Sequence, residues 1–218
     1  NSSGYSLQDL WGTNSSDIFT IGSAGNILHY NGSSWTPIES GVSAELYDIW
    51  GSSSTNVFAV GINGTIVKYD GSQWINISSN TNDGLYGIWG NSSTDIFAVG
   101  YNSSTGKGTI LRYNGISWNV MSSGIWNALS SIWGSNSSDI YAVGVNGQII
   151  HYNGISWSSM TSGTNKILLT VWGTSGANVF AGGFDGTILR YQGTSWVPMY
   201  TGTTNDIYDI WGTRDIYA

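Results

Sequence analysis

Short apolar runs alternate with small polar residues along the whole chain, and the alternation is periodic. In residues 46–74, LYDIWGSSSTNVFAVGINGTIVKYDGSQW, apolar and aromatic runs begin at Leu46, Val57, Thr65 and Trp74, separated by Gly, Ser, Asn and Thr. Runs this short and rich in β-branched and aromatic residues predict strands, and the stretches between them predict turns. The unit therefore predicts four strands, at 46–50, 57–60, 65–69 and 74–77, in one antiparallel sheet. The stretch 51–56 is expected to be a polar loop, and Asp70-Gly71 to be a tight hairpin with positive φ at both central residues. No segment has the length or period of a helix.

The unit recurs. A tryptophan-glycine pair opens it at Trp11, Trp50, Trp89, Trp133, Trp172 and Trp211, in steps of 39, 39, 44, 39 and 39 residues. A second series, Trp35, Trp74, Trp118, Trp157 and Trp196, marks the fourth strand, always 15 residues before the next opening tryptophan. Self-similarity at such a period predicts a repeat architecture. The repeats run over about 5–40, 41–79, 80–123, 124–162 and 163–201, with a partial one at 202–218.

One pleated sheet cannot point Leu46, Ile49, Val57, Phe58, Val60, Ile66, Val67 and Trp74 all to one side. A sheet apolar on both faces must lie between neighbours, and packing sheets around a common axis meets that demand. The expectation is an all-β single domain, a β-propeller of four-stranded antiparallel blades, six in number with the last incomplete. Five blades, or an open or larger assembly, are the alternatives. Both ends fall inside a repeat, so a longer parent chain is expected.

The order LYDIWG, VFAVG, GTIVKYDG, SQW resembles a β-propeller blade. It is similar to the repeats of tectonin and tachylectin-type lectins, and more distantly to WD40 blades, although the WD40 Gly-His and Trp-Asp landmarks are missing. An Asp-box is also missing, because Asp70 stands one residue too close to Trp74. The resemblance implies a lectin-like, non-enzymatic recognition protein.

Composition narrows the partners. Six Lys and Arg against 13 Asp and Glu, net charge -7, cannot make the basic footprint of a nucleic-acid binder. No apolar run approaches a membrane span, so membrane insertion is not expected. There is no cysteine, hence no disulfide or thiolate metal site. Scarce lysine with abundant Asn, Ser, Thr and Gly predicts an extracellular or cell-surface protein. Asn-X-Ser/Thr sequons start at Asn1, Asn14, Asn31, Asn63, Asn76, Asn91, Asn102 and Asn136. Glycosylation is expected at Asn14, Asn91 and Asn136, in the first loop of their repeats.

Candidate chemistry is sparse. His29, Lys68, Arg112, His151 and Arg190 recur just before tyrosine in the third strand, where pairing with an acidic residue is expected. Asp17, Asn56, Asp95, Asp139, Asn178 and Asp215 end the first loop, and the exchange of Asp for Asn suits a turn cap and not a proton donor. Asp9, Asp48 and Asp209 stand two residues before the opening tryptophan, where burial demands hydrogen-bond partners. No nucleophile elbow, phosphate loop or metal-ligand spacing occurs, so neither an enzyme nor a cofactor is expected. The repetition fails in one place: residues 101–108, YNSSTGKG, carry the five extra residues of the third repeat, and Trp126 stands outside both tryptophan series. Both loops leave a propeller on one face, so Tyr101, Asn102, Lys107 and Trp126 are the expected ligand-binding residues, an aromatic platform with amides for a sugar ring. Glycans or other surface proteins are the expected partners. The second hypothesis is a structural subunit of a surface layer or filament that self-associates through faces or strand edges; a polysaccharide-active enzyme is a distant third.

Overall fold

The computed structural model describes residues 6–122, 124–212 and 216–217. Asn1 and Asp215, singled out above, lie outside the described residues. The described residues form five four-stranded antiparallel sheets, each with its strands in sequence order, and one two-stranded sheet, Trp211–Gly212 with Ile216–Tyr217. By packing it divides into two compact units, Asn1–Ala98 with Leu111–Val120, and Val99–Ile110 with Met121–Ala218.

In the first unit the opening strand Leu7–Asn14 lies beside Leu46–Ser53, which lies beside Gly84–Ser92. The second sheet is buried on both faces. Leu46, Ile49, Val57, Ala59, Val67 and Trp74 meet Phe19, Ile21 and Ile27 of the first sheet. Phe58, Val60 and Ile66, pointing the other way from the same strands, meet Leu85, Ile88, Leu111 and Trp118. Period-two alternation along Asn56–Gly61 thus places Val57 and Ala59 on one face and Phe58 and Val60 on the other. In the second unit Leu129–Asn136 lies beside Leu168–Ser175, over a core containing Tyr141, Val143, Leu168, Val171 and Trp196.

The tryptophan-glycine pair has a packing cause. A Cβ on Gly51 would lie 2.6 Å from the Trp11 ring, one on Gly90 2.5 Å from Trp50, and one on Gly173 2.8 Å from Trp133. In these three pairs the opening indole packs against the glycine of the following repeat, and any side chain there would push it away.

Two local expectations are corrected. The opening strand runs on through Ser53 and the second begins at Asn56, so the polar stretch 51–56 is mostly strand, and the turn itself is Ser54-Thr55. Asp70-Gly71 is not a two-residue turn with two left-handed residues. Only Gly71 has positive φ, at 99°, and the loop spans residues 70–73, closed by the Asp70 carboxylate accepting the amides of Ser72 at 2.8 Å and Gln73 at 3.0 Å. The turn with positive φ at both central residues is Asn63-Gly64, at 57° and 70°, where the Thr65 amide donates to the Ile62 carbonyl at 3.1 Å. Asn-Gly suits that geometry; the side-chain bonds of Asp70 suit the other.

Candidate functional site

The basic or histidine position of the third strand is clamped within its own sheet. His29 Nε2 lies 2.7 Å from Asp17 and its ring stacks on Phe19 at 4.3 Å. Arg112 Nε donates to Asp95 at 2.7 Å with its guanidinium 5.0 Å from the Phe97 centroid, and His151 repeats the arrangement with Asp139 at 2.7 Å beside Tyr141. Where the turn residue is Asn178, its side-chain oxygen accepts from Arg190 Nε at 2.9 Å. These residues pin the second strand to the third and bring no group toward a ligand.

Thr13, Asp17 and His29, like Ser135, Asp139 and His151, hold a hydroxyl, a carboxylate and an imidazole in contact. Thr13 Oγ1 and Ser135 Oγ each donate to the carboxylate at 2.5 Å. The carboxylate stands between the other two, so the imidazole does not reach the hydroxyl proton, and a serine-type nucleophile is not activated. Partial burial raises the Asp17 pKa, but the Thr13 and His29 hydrogen bonds and the His29 charge outweigh it and hold the carboxyl below its ordinary range.

The carboxylates before the opening tryptophan join consecutive repeats. A β-bulge leaves Tyr47 as the extra, unpaired residue of the opening strand, and Asp48 resumes the ladder opposite Val60. Asp9 Oδ2 accepts the Ile49 amide at 3.1 Å, Asp48 Oδ2 accepts the Ile88 amide at 2.7 Å, and Ser131 Oγ accepts the Val171 amide at 3.3 Å. Desolvation, followed by the charge of Asp9 and a hydrogen bond to it, pushes the Asp48 pKa well above the usual carboxylate range. The Asp9–Asp48 pair thus favours holding one proton between its two carboxyls.

The irregular loops of the third repeat converge in the second unit. Lys107 Nζ lies 4.3 Å from the centre of the Trp126 ring, and Trp126 is 69% exposed. Both line an open cleft of about 270 Å³ with Gly108, Met121, Ser122, Gly124 and Ile125. The other two residues expected there serve different ends. Asn102 shapes the loop: its side-chain oxygen accepts the amides of Ser104 at 3.1 Å and Thr105 at 2.8 Å, and its own amide donates to the Lys107 carbonyl at 2.9 Å. Tyr101 ends the strand Asp95–Tyr101, half-buried, and does not line the cleft.

Equivalent clefts, which no break in the repeat pattern marks, lie in two other repeats. One lies between the turn at Asn63 and residues 76–82, the other between Asn146 and residues 160–165. Apart from Ile77 in one and Met160 in the other, their linings are amides, hydroxyls and glycine, including Asn80 and Asn82 in the first and Gln148 and Asn165 in the second. The signal was the pairing of Asn-Gly turns with Ser- and Thr-rich connections, which reads equally as ordinary loop chemistry.

The expected glycosylation sites are exposed. Asn14 and Asn136 end their strands, and each Oδ1 accepts both the amide and the hydroxyl of the serine two residues on, at 2.9 and 2.7 Å from Ser16 and 2.9 and 2.8 Å from Ser138. Asn91 stands one position earlier, directly after Gly90, still within its strand.

No family model and no curated protein matches the sequence. The structure matches those of YCF48 bound to D1 peptide (TM-score 0.67, 16% identity, 89% of this chain and 66% of that one), U3-55K (0.76, 12%, 96% and 72%) and the C-terminal WD40 domain of Sif2 (0.61, 10%, 96% and 76%). The chain thus spans 66% of the length of the YCF48 structure, and identities this low speak to fold alone. A two-faced four-stranded sheet, repeated and matched over nearly the whole chain, makes this a β-propeller protein with blades like those of WD40 proteins and YCF48.

Proposed function

We propose that the protein is a non-enzymatic recognition module of the cell surface or extracellular space, which binds glycans or other surface proteins through the loops of its third repeat. The observation that carries this reading is the exposed Trp126 ring with Lys107 over it at the mouth of a cleft. A flat apolar face beside a cation and loop hydroxyls matches a ligand with one apolar face and several polar groups. The matched YCF48 structure is bound to a peptide, which supports ligand presentation by blades of this kind. The lectin-like reading places the repeats with the tectonin and tachylectin type, as six blades with the last incomplete, and with glycans on Asn14, Asn91 and Asn136. A glycan array probed with the wild type and with Trp126→Ala tests it: signals present in the wild type and lost in a folded variant are expected. Equal signals, or none in either, refute it.

A second reading, a structural subunit that self-associates, is favoured by Leu7, Leu10 and Trp35. These are 54, 65 and 45% exposed, whereas Leu46, Ile49 and Trp74 at the same repeat positions are buried. Sedimentation at rising concentration is expected to show concentration-dependent mass on this reading; a constant mass of 23.4 kDa refutes it.

A further inference from the structure

The cations of the described residues are not used alike. Arg112 is bonded to Asp95, Lys166 pairs with Asp185, Arg190 is bonded to Asn178, and Lys68 stands over the buried Phe58 ring. Lys107 instead stands over an indole that is itself exposed, at a cleft whose lining contains no carboxylate. In a chain of net charge -7 this sets a single positive charge beside an exposed aromatic face. The long-range repulsion that the acidic chain exerts on an anion is largely screened beyond about 8 Å at physiological salt, so contact chemistry decides.

A cleft of about 270 Å³ lies just below the usual range for small-molecule sites and suits one ring rather than a strand of peptide. The ammonium covers one face of the Trp126 ring, and an exposed cation–π contact is worth only about 0.5–1 kcal/mol. A ligand that stacks on that face displaces the ammonium at small cost. It recovers more than the loss when it carries a carboxylate to receive the displaced charge, since an ion pair with direct hydrogen bonding is stronger than the neutral equivalent. A neutral sugar displaces the lysine without that return.

We propose that this cleft takes a uronic acid residue of an acidic polysaccharide, with its ring stacked on Trp126 and its carboxylate paired with Lys107. The inference rests on the recognition reading above and names the ligand class of the same site. Ser122, on the cleft wall, brings a hydroxyl to the contacts of the sugar ring.

The test is a ligand-observed NMR titration with methyl glucuronide and methyl glucoside against the wild type, Lys107→Met and Trp126→Ala, with circular dichroism confirming the fold of each. The wild type is expected to prefer the glucuronide by about 1.4–5-fold at low salt, the preference falling toward unity at high salt, because exposed ion pairs contribute about 0.2–1 kcal/mol and are screened. Lys107→Met is expected to erase the preference, and Trp126→Ala to weaken both sugars. An unchanged preference in Lys107→Met, or equal affinities in the wild type, overturns the uronate assignment while leaving the site standing. Full binding in Trp126→Ala, or no binding of either sugar to the wild type, overturns the site itself and the uronate with it.

Discussion

The tryptophans of the second series offer a direct measurement of how the sheets cover one another. Trp118 is 1% exposed and packs edge-on to Phe58 at 6.3 Å and tilted to Tyr113 at 5.3 Å. Burying an indole of about 200 Å² contributes about 5 kcal/mol, and aromatic contacts add about 0.5–1.5 kcal/mol each. Against this, the Trp118 indole N–H has no hydrogen-bond partner among the described residues, a cost of about 1–3 kcal/mol. The balance predicts that Trp118→Ala destabilises by about 3–5 kcal/mol, a large part of a domain's margin. Trp118→Phe removes the stranded N–H while keeping most of the ring, so a loss of no more than about 1.5 kcal/mol is expected. Trp35 occupies the same repeat position but is 45% exposed, and Trp35→Ala should cost about half as much as Trp118→Ala, near 2 kcal/mol. Urea unfolding followed by far-ultraviolet circular dichroism reads all three. If Trp118→Phe is as damaging as Trp118→Ala, the unpaired N–H does not carry the cost assigned to it. If Trp35→Ala is as damaging as Trp118→Ala, the sheet-on-sheet account of the core fails.

Two further predictions use the polar positions. Because the Asp48 pKa is raised in the fold, the folded state holds a proton that the unfolded chain has released above its ordinary carboxylate pKa, so stability from this group is present in acid and is lost as pH rises toward the raised value. Asp9→Asn removes the like charge and offers an amide N–H to Asp48, so its melting temperature should decline less between pH 4 and neutrality than that of the wild type; parallel profiles refute the shared-proton pair. Glycosylation at Asn14, Asn91 and Asn136 is tested by intact mass of protein from its native source, where a mass above the 23.4 kDa of the polypeptide that disappears in the triple Asn→Gln variant is expected, and an unshifted mass refutes it.

Much of the fold was legible because the repeat enforces a single packing problem five times over. Val57 and Phe58 are both apolar and adjacent, so a strand bearing them needs cover on both sides, and the sheets provide it. Local geometry was less legible. Asp-Gly and Asn-Gly promise the same turn, yet the Asp70 side chain satisfies two amides and stretches its loop to residues 70–73, while Asn63-Gly64 takes the left-handed pair. The alternatives differ by a few side-chain hydrogen bonds that composition does not rank. The bulge at Tyr47 was equally silent: nothing in LYDIW announces the extra residue that points Asp48 across to the next repeat.

The candidate site was legible only as a departure from symmetry. In the regular repeats every recurring side chain has a packing or clamping task, as Phe58 does in the core and Arg112 does against Asp95. A residue that breaks the pattern, as Lys107 and Trp126 do, is released from that task and free to acquire another. Yet position in an irregular loop did not say which residues face the cleft. Asn102 looked as eligible as Lys107, but a turn of this length must satisfy its own amides, and a short amide side chain at its start is the group within reach. The longer reach of lysine carries its charge out of the loop and over the indole instead. Side-chain length thus separates Asn102, which builds the loop, from Lys107, which the loop presents, while Tyr101 is kept from the cleft by its half-buried place at the end of its strand.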